Sequence, residues 1–286
     1  MRKLLNKALR LDLVRVLAFA TISDNSSEGM NTMKKILIAL CVMPLFWSEV
    51  SLSQNNEPPN LTAIEIFMCN YNKGKDSKDL DRVVDKWNAW ADKTNLTPYS
   101  AWTLTPVFTS PEYGFDVGWL GAWQNGADMG KGLQQWITGG GEIQTAFDKV
   151  LSCDVHAGYT AANFKPQQGG WPAQGVTVFT DCTIAEGKTF EDSIAAHANW
   201  AKHLTERGSK AGMWAFYPSM GGGDSDFDYK IVMAHPDYVS LGADNNDYTN
   251  GGGWKIGREI SQGTVSCNTP RVYNSVLRRD GSIDPN

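Results

Sequence analysis

The sequence predicts an α+β fold in which two β-α-β-β-α-β units follow one another in a single chain. A diverged internal repeat is the main observation, because the segment 102–106 (WTLTP) recurs as 214–218 (WAFYP). Residues that recur at offsets of 112 to 114 are Cys69 and Cys182, Trp87 and Trp200, Cys153 and Cys267, and Tyr159 and Tyr273. Within each half, apolar periodicity also alternates between the strand and helix values. A repeat of this kind indicates a duplicated structural unit.

The first unit is expected to span residues 61–165. Strands are predicted at 63–69, 101–105, 115–123 and 153–163, with helices over about 78–91 and 142–151. Asp76 or Ser77 caps the first helix, and Pro98 ends that segment. The glycine-rich segment 125–141 is predicted to be a loop with one helical turn at 133–137.

Residues 166–175 form a proline- and glycine-containing linker, and the second unit is expected to span 176–279. Its predicted strands are 176–182, 213–217, 227–235 and 266–277, and its predicted helices are 190–207 and 254–260. The stretch from 236 to Gly253 is glycine-rich and is predicted to lack regular structure. Residues 280–286 form a polar tail.

Residues 33–53 have the basic start, short apolar run and small-residue exit of a secretory signal peptide. We expect cleavage after Ser53 and a true start at Met33, with an extended basic leader over residues 1–32 as the alternative. This predicts a secreted or periplasmic protein without a stable membrane anchor. The chain's net charge is −5, and removal of the basic leader makes it more negative. A negative surface repels phosphate backbones, so we expect no nucleic-acid partner.

Four cysteines remain after the expected cleavage, and in an oxidising compartment an even number predicts disulfides. Two pairings respect the repeat. One joins Cys69 to Cys153 and Cys182 to Cys267, and the other joins Cys69 to Cys182 and Cys153 to Cys267.

Two such units in one chain resemble the dimeric α/β-barrel superfamily, whose subunits are ferredoxin-like. The resemblance covers nearly all of residues 61–279 and depends on topology and duplication. It implies that the two ferredoxin-like units pack as a pseudo-dimeric α/β barrel, so that the chain is a monomer. It also implies that the first and fourth strands of each unit are neighbours, which favours one disulfide within each half.

Glycine and histidine patterns argue against nucleotide and metal sites. Gly187-Lys188-Thr189 lacks the earlier glycine of a phosphate-binding loop. His197 and His203 lie six positions apart on one helix, which places them on different faces. We therefore predict no metal and no cofactor.

Three positions differ between the halves towards histidine in the second half. His197 stands where the first half has Val84, and His235 stands where it has Trp123. His197 is interpreted either as a satisfied core residue or as an acid, base or axial ligand in a pocket. His235 is interpreted either as a cavity-lining residue or as a strand-end residue that touches solvent. With His203 in place of Trp90 as the third exchange, we expect any activity to reside in the second half.

Acidic and aromatic residues complete the candidates. Asp116 and Asp228 recur at the entry of the third strand, either as a pocket carboxylate or as a residue that hydrogen-bonds a neighbouring loop. Trp200 lies on the same predicted helix face as His197. Trp200, Trp214 and Trp123 are further candidate residues of a pocket. Six tryptophans have no tryptophan partner in the other half and are freer to enclose a ligand: Trp90, Trp119, Trp123, Trp136, Trp171 and Trp254.

Three functions remain open. The first is a secreted protein that binds an apolar or aromatic small molecule in a pocket of the second repeat. The second is an enzyme that resembles the monooxygenases or haem-handling members of the superfamily, with haem as its cofactor in the latter case. The third is a structural or partner-binding module.

Overall fold

The structure is a computed structural model, and it describes residues 61–223 and 225–283. The expected signal peptide and the start at Met33 lie outside the described residues. No helix within the described part of the chain is both long and apolar enough to cross a membrane.

The first half contains four strands and three α-helices: β1 (Thr62–Tyr71), α1 (Ser77–Lys93), β2 (Ser100–Phe108), β3 (Val117–Trp123), α2 (Gly126–Gly139), α3 (Gly141–Asp148) and β4 (Leu151–Lys165). The second half contains five strands and three α-helices: β5 (Gln174–Ile184), α4 (Phe190–Glu206), β6 (Gly212–Met220), β7 (Tyr229–His235), α5 (Tyr238–Thr249), α6 (Gly253–Ser261), β8 (Val265–Cys267) and β9 (Arg271–Arg279).

Eight of these strands form a closed antiparallel barrel in the order β7-β6-β4-β1-β3-β2-β9-β5, and a β5–β7 pairing completes the circle. The short β8 pairs with the far end of β5. The two halves join through the β2–β9 and β4–β6 pairings. The predicted α+β class and the barrel are thus confirmed.

Side-chain alternation along the strands separates one interior core from two outer cores. Ile64 and Ile66 of β1 point into the barrel, where they join Trp102, Trp214 and other interior residues. Their neighbours Ala63 and Cys69 face α1 on the outside. A matching outer core lies under α4 in the second half.

The structure confirms one disulfide within each half. Cys69 bonds Cys153 and Cys182 bonds Cys267, across the β1–β4 and β5–β8 strand pairs. This is the pairing that the resemblance implied.

Two segments predicted to lack regular structure are helical. The predicted loop at 125–141 is α2 and the start of α3, and the stretch after 236 contains α5. Asn125 and Asp237 cap these helices by accepting hydrogen bonds from the backbone N–H groups of Asp128 and Ser240, respectively. The prediction of a loop was wrong for these segments because the caps stabilise the helices in spite of their glycine content.

The predicted single strand at 266–277 is also divided in two. Residues 268–270 interrupt it, and the Asn268 side chain accepts a hydrogen bond from the Asp181 N–H of β5. Pro270 has no N–H with which to continue the strand pairing.

Candidate ligand-binding cavity

A cavity of about 720 Å³ lies in the first half, between the outer face of the barrel and its three helices. We call it the tryptophan cavity because five tryptophans line it: Trp87, Trp90, Trp119, Trp123 and Trp136. Its volume lies within the range of small-molecule sites, and its lining is mostly apolar with few polar groups, as in such sites.

Edge-to-face contacts order the aromatic rings of this cavity. The ring centroids of Trp87 and Trp119 are 5.2 Å apart, and those of Trp90 and Trp136 are 5.5 Å apart, with interplanar angles of 83° and 85°. The Trp90 Nε1–H donates to the Gly139 carbonyl at 3.1 Å, which ties α1 to the end of α2. The wall is therefore fixed by ring packing and by a hydrogen bond between helices.

One buried carboxylate lies among the aromatic residues that line the tryptophan cavity. Glu65 sits in the middle of β1, and its side chain is 9% exposed. Its Oε1 accepts a 2.7 Å hydrogen bond from the Tyr99 hydroxyl, which in turn accepts one of 2.7 Å from Trp119 Nε1. Its Oε2 lies 2.9 Å from His156 Nε2. We call these four residues the Glu65 cluster.

A glycine makes the Glu65 cluster sterically feasible. Gly121 of β3 lies directly opposite Glu65 in the strand register. A Cβ at position 121 would come within 1.8 Å of the Tyr99 hydroxyl oxygen. Burial, reinforced by the Glu65 carboxylate, raises the pKa of Tyr99 well above its usual value, so the hydroxyl stays protonated and donates.

His156 connects the cluster to solvent. Its side chain is 52% exposed, and its ring stacks on Phe67, the cross-strand partner, at a centroid distance of 3.7 Å. Exposed lining residues cluster nearby, on α3 and the start of β4: Gln144, Asp148, Ser152 and Cys153. We place the mouth of the cavity here.

Trp123 is the one predicted pocket residue that lines the tryptophan cavity. It is 4% exposed, and its Nε1 has no hydrogen-bond partner among the described residues. Gly132 of α2 leaves room for the indole, since a Cβ there would lie 2.6 Å from Nε1. The cavity lining thus includes one unpaired donor.

Trp214 and His235 line a different and smaller cavity, of about 60 Å³, at one end of the barrel interior. The Trp214 ring stacks on Trp171, with centroids 5.7 Å apart, and Trp102 makes an edge contact with Trp171 at a centroid distance of 5.0 Å. This volume is too small for an aromatic ligand.

His197 is held by a partner inside the second outer core. Its Nε2 lies 2.6 Å from the Tyr229 hydroxyl, and burial lowers the pKa of His197 to about 4. The equivalent positions in the first half are Val84 and Val117, both buried. A hydrogen-bonded polar pair thus replaces an apolar pair.

His235 shows a second exchange of the same kind. Its Nδ1 lies 3.5 Å from the Asp244 carboxylate, and burial lowers the pKa of His235. In the first half Trp123 and Gly132 occupy these two positions. A large ring over a glycine is therefore replaced by a histidine beside an aspartate.

The remaining candidates make local contacts. The carboxylates of Asp116 and Asp228 accept hydrogen bonds from the Tyr71 and Ile184 N–H groups, at 2.8 and 2.7 Å. Trp200 stacks on His203 of its own helix. The structure does not bring these residues together with His197, Trp214 or His235 into one described cavity.

Comparison with known proteins gives similarity in structure alone, since no family model and no curated protein matches the sequence. A provisionally assigned monooxygenase from Lactobacillus acidophilus superposes with a TM-score of 0.50 at 10% identity, covering 76% of this chain and 94% of that one. The likeness supports the α+β fold with a closed eight-stranded barrel described above. At this identity the likeness shows the fold and nothing of the activity.

Two further solved structures superpose with lower TM-scores. Chlorite dismutase from Candidatus Nitrospira defluvii gives a TM-score of 0.46 at 6% identity, covering 77% of this chain and 92% of that one. A haem-binding protein from Thermus thermophilus gives 0.42 at 12% identity, covering 79% and 96%.

The residues of the tryptophan cavity fit a haem poorly. Among the described lining residues, His156 is the only histidine, and its Nε2 faces Glu65. No lysine or arginine belongs to that described lining, so nothing cationic would pair with the propionates. The described residues also contain no group of three or more His, Cys, Asp or Glu placed to hold a metal ion.

The Glu65 cluster was not anticipated from the sequence. One signal was present: Glu65 interrupts an apolar strand at the position where the second half has Val178. A carboxylate inside such a run is rarely buried without a specific partner. The unmatched tryptophans were a second signal, since four of the six line the tryptophan cavity.

Proposed function

We propose that this protein binds an apolar or aromatic small molecule in the tryptophan cavity of its first half. The observation that carries the proposal is a cavity of about 720 Å³ lined by five tryptophans and a single buried polar cluster. Aromatic walls supply stacking and apolar burial, and a few polar groups orient the ligand. The proposed location differs from the second-half pocket that the histidine positions predicted. There, His197 contacts Tyr229 and His235 lies near Asp244.

A monooxygenase-like enzyme is the second candidate, favoured by the Glu65–His156 pair. A carboxylate beside an imidazole in an apolar cavity is placed to accept a proton from a bound substrate and pass it towards solvent. The half-exposed His156 provides that route.

We further propose that the chain is an extracytoplasmic monomer built from two ferredoxin-like units. Support for the compartment comes from the two disulfides, which persist in oxidising surroundings. Support for the monomer comes from the barrel, which closes within one chain.

Native mass spectrometry of the protein purified from its own compartment tests the proposed function, together with an absorption spectrum. We expect a co-purifying small molecule that is released on denaturation and shows no haem absorption. The released ligand is then incubated with the protein in air and its mass is measured again. An unchanged mass supports the binding function, whereas a product of altered mass supports the enzyme.

The duplicated sequence supplies a matched control for this experiment. Ser152 lies at the cavity mouth directly before Cys153, and Ser266 is its equivalent directly before Cys267. Ser152→Trp should block the cavity and abolish co-purification, while Ser266→Trp should leave it intact. Equal retention of the ligand in both variants would refute the location.

A further inference from the structure

We propose that the ligand of the tryptophan cavity is an organic cation with an apolar or aromatic body, such as an amine or a quaternary ammonium compound. This inference rests on the proposed function and specifies its ligand class. Two features of the lining support this inference: its charged residues and its tryptophans.

The charge of the lining is one-sided. The described lining residues include the carboxylates of Glu65 and Asp148 and no lysine or arginine. His156 is the only group there that can carry a positive charge, and it lies at the mouth with half of its side chain exposed. These carboxylates would repel an anionic ligand and attract a cation.

Glu65 retains the capacity to interact with such a ligand. Each carboxylate oxygen has two acceptor sites. Tyr99 uses one site on Oε1, and His156 uses one on Oε2. The remaining sites can accept N–H groups of an amine, or neutralise a quaternary ammonium at longer range.

Tryptophan is the aromatic residue that attracts cations most strongly through its ring face. Five of the ten tryptophans within residues 61–286 line this one cavity. A neutral apolar ligand would be served equally well by leucine or phenylalanine walls. The combination of tryptophan rings, a buried carboxylate and a described lining without lysine or arginine is what favours a cation.

The test compares two probes of the same shape by quenching of tryptophan fluorescence. Benzyltrimethylammonium is cationic, and neopentylbenzene is its neutral carbon isostere. We expect the wild-type protein to bind the cation at least tenfold more tightly. This comparison requires no variant and therefore does not depend on the folding of any mutant.

Substitutions then assign the preference to Glu65. Glu65→Gln should remove most of the preference for the cation while leaving the affinity for neopentylbenzene within about twofold. Asp85→Asn, at an exposed position of α1, makes the same change in net charge outside the cavity and should leave the preference unchanged.

Two outcomes would overturn the inference in distinguishable ways. Equal or tighter binding of neopentylbenzene would refute the cationic ligand but leave the binding function standing. Failure of both probes to bind, together with no co-purifying molecule, would refute the binding function as well.

Discussion

The His197–Tyr229 pair predicts a specific dependence of stability on pH. Burial lowers the pKa of His197 from 6.5 to about 4 in the folded protein. Between these two values the unfolded chain binds a proton that the folded chain excludes. The free energy of unfolding therefore falls as the pH is lowered through this window.

The magnitude follows from the two pKa values. At pH 5 the penalty relative to pH 8 is about 2 kcal/mol, since one pKa unit corresponds to about 1.4 kcal/mol. The substitution His197→Gln retains a side chain able to hydrogen-bond Tyr229 but cannot titrate. Its unfolding free energy should lose about 2 kcal/mol less than that of the wild type between pH 8 and pH 5.

Urea unfolding at the two pH values, followed by circular dichroism, measures this difference. The contribution of His235 is common to both proteins and cancels in the comparison. If His197→Gln and the wild type lose the same unfolding free energy between pH 8 and pH 5, His197 is not the neutral, buried group described above.

Three other predictions concern stability. Gly132→Ala should destabilise the protein by about 1 to 3 kcal/mol, because its Cβ would lie 2.6 Å from Trp123 Nε1. Gly130→Ala, on the same helix with nothing within 4 Å, should stabilise it by about 0.5 to 1 kcal/mol. Equal urea midpoints for the two variants would contradict the packing of Trp123. Asp116→Ala and Asp228→Ala should each cost about 1 kcal/mol through loss of one hydrogen bond to a backbone N–H. A loss of stability in only one of the two variants would show that the two carboxylates differ in role. Reduction of both disulfides, which close loops of 84 and 85 residues, should cost about 4 to 5 kcal/mol each in the chain-entropy model. An unchanged urea midpoint in dithiothreitol would contradict this.

The fold could be predicted from the sequence because several local signals agreed with the repeat. Strand and helix periodicities recurred at nearly constant offsets, and the four cysteines fell in equivalent places. The missed helices α2 and α5 are ones in which tertiary contacts and caps outweigh low intrinsic propensity. Gly132 illustrates this, since its lack of a side chain weakens the helix but admits Trp123.

The tryptophan cavity could not be predicted from the histidine positions, because His197 and His235 lie outside it. His197 hydrogen-bonds Tyr229, and His235 Nδ1 lies 3.5 Å from the Asp244 carboxylate; folding brings both contacts together. Tryptophan content was the better guide, although the sequence does not show which rings share a cavity. The link from Glu65 to Tyr99 spans 34 residues and depends on the strand register.

The exchange of Trp123 and Gly132 for His235 and Asp244 has an evolutionary consequence. In a barrel assembled from two identical subunits, every substitution is expressed twice and must be tolerated in both copies. Here the β2–β9 and β4–β6 pairings join halves encoded separately within one chain. Each half can therefore accumulate its own compensating pairs, so the two outer cores can diverge while the barrel between them is kept.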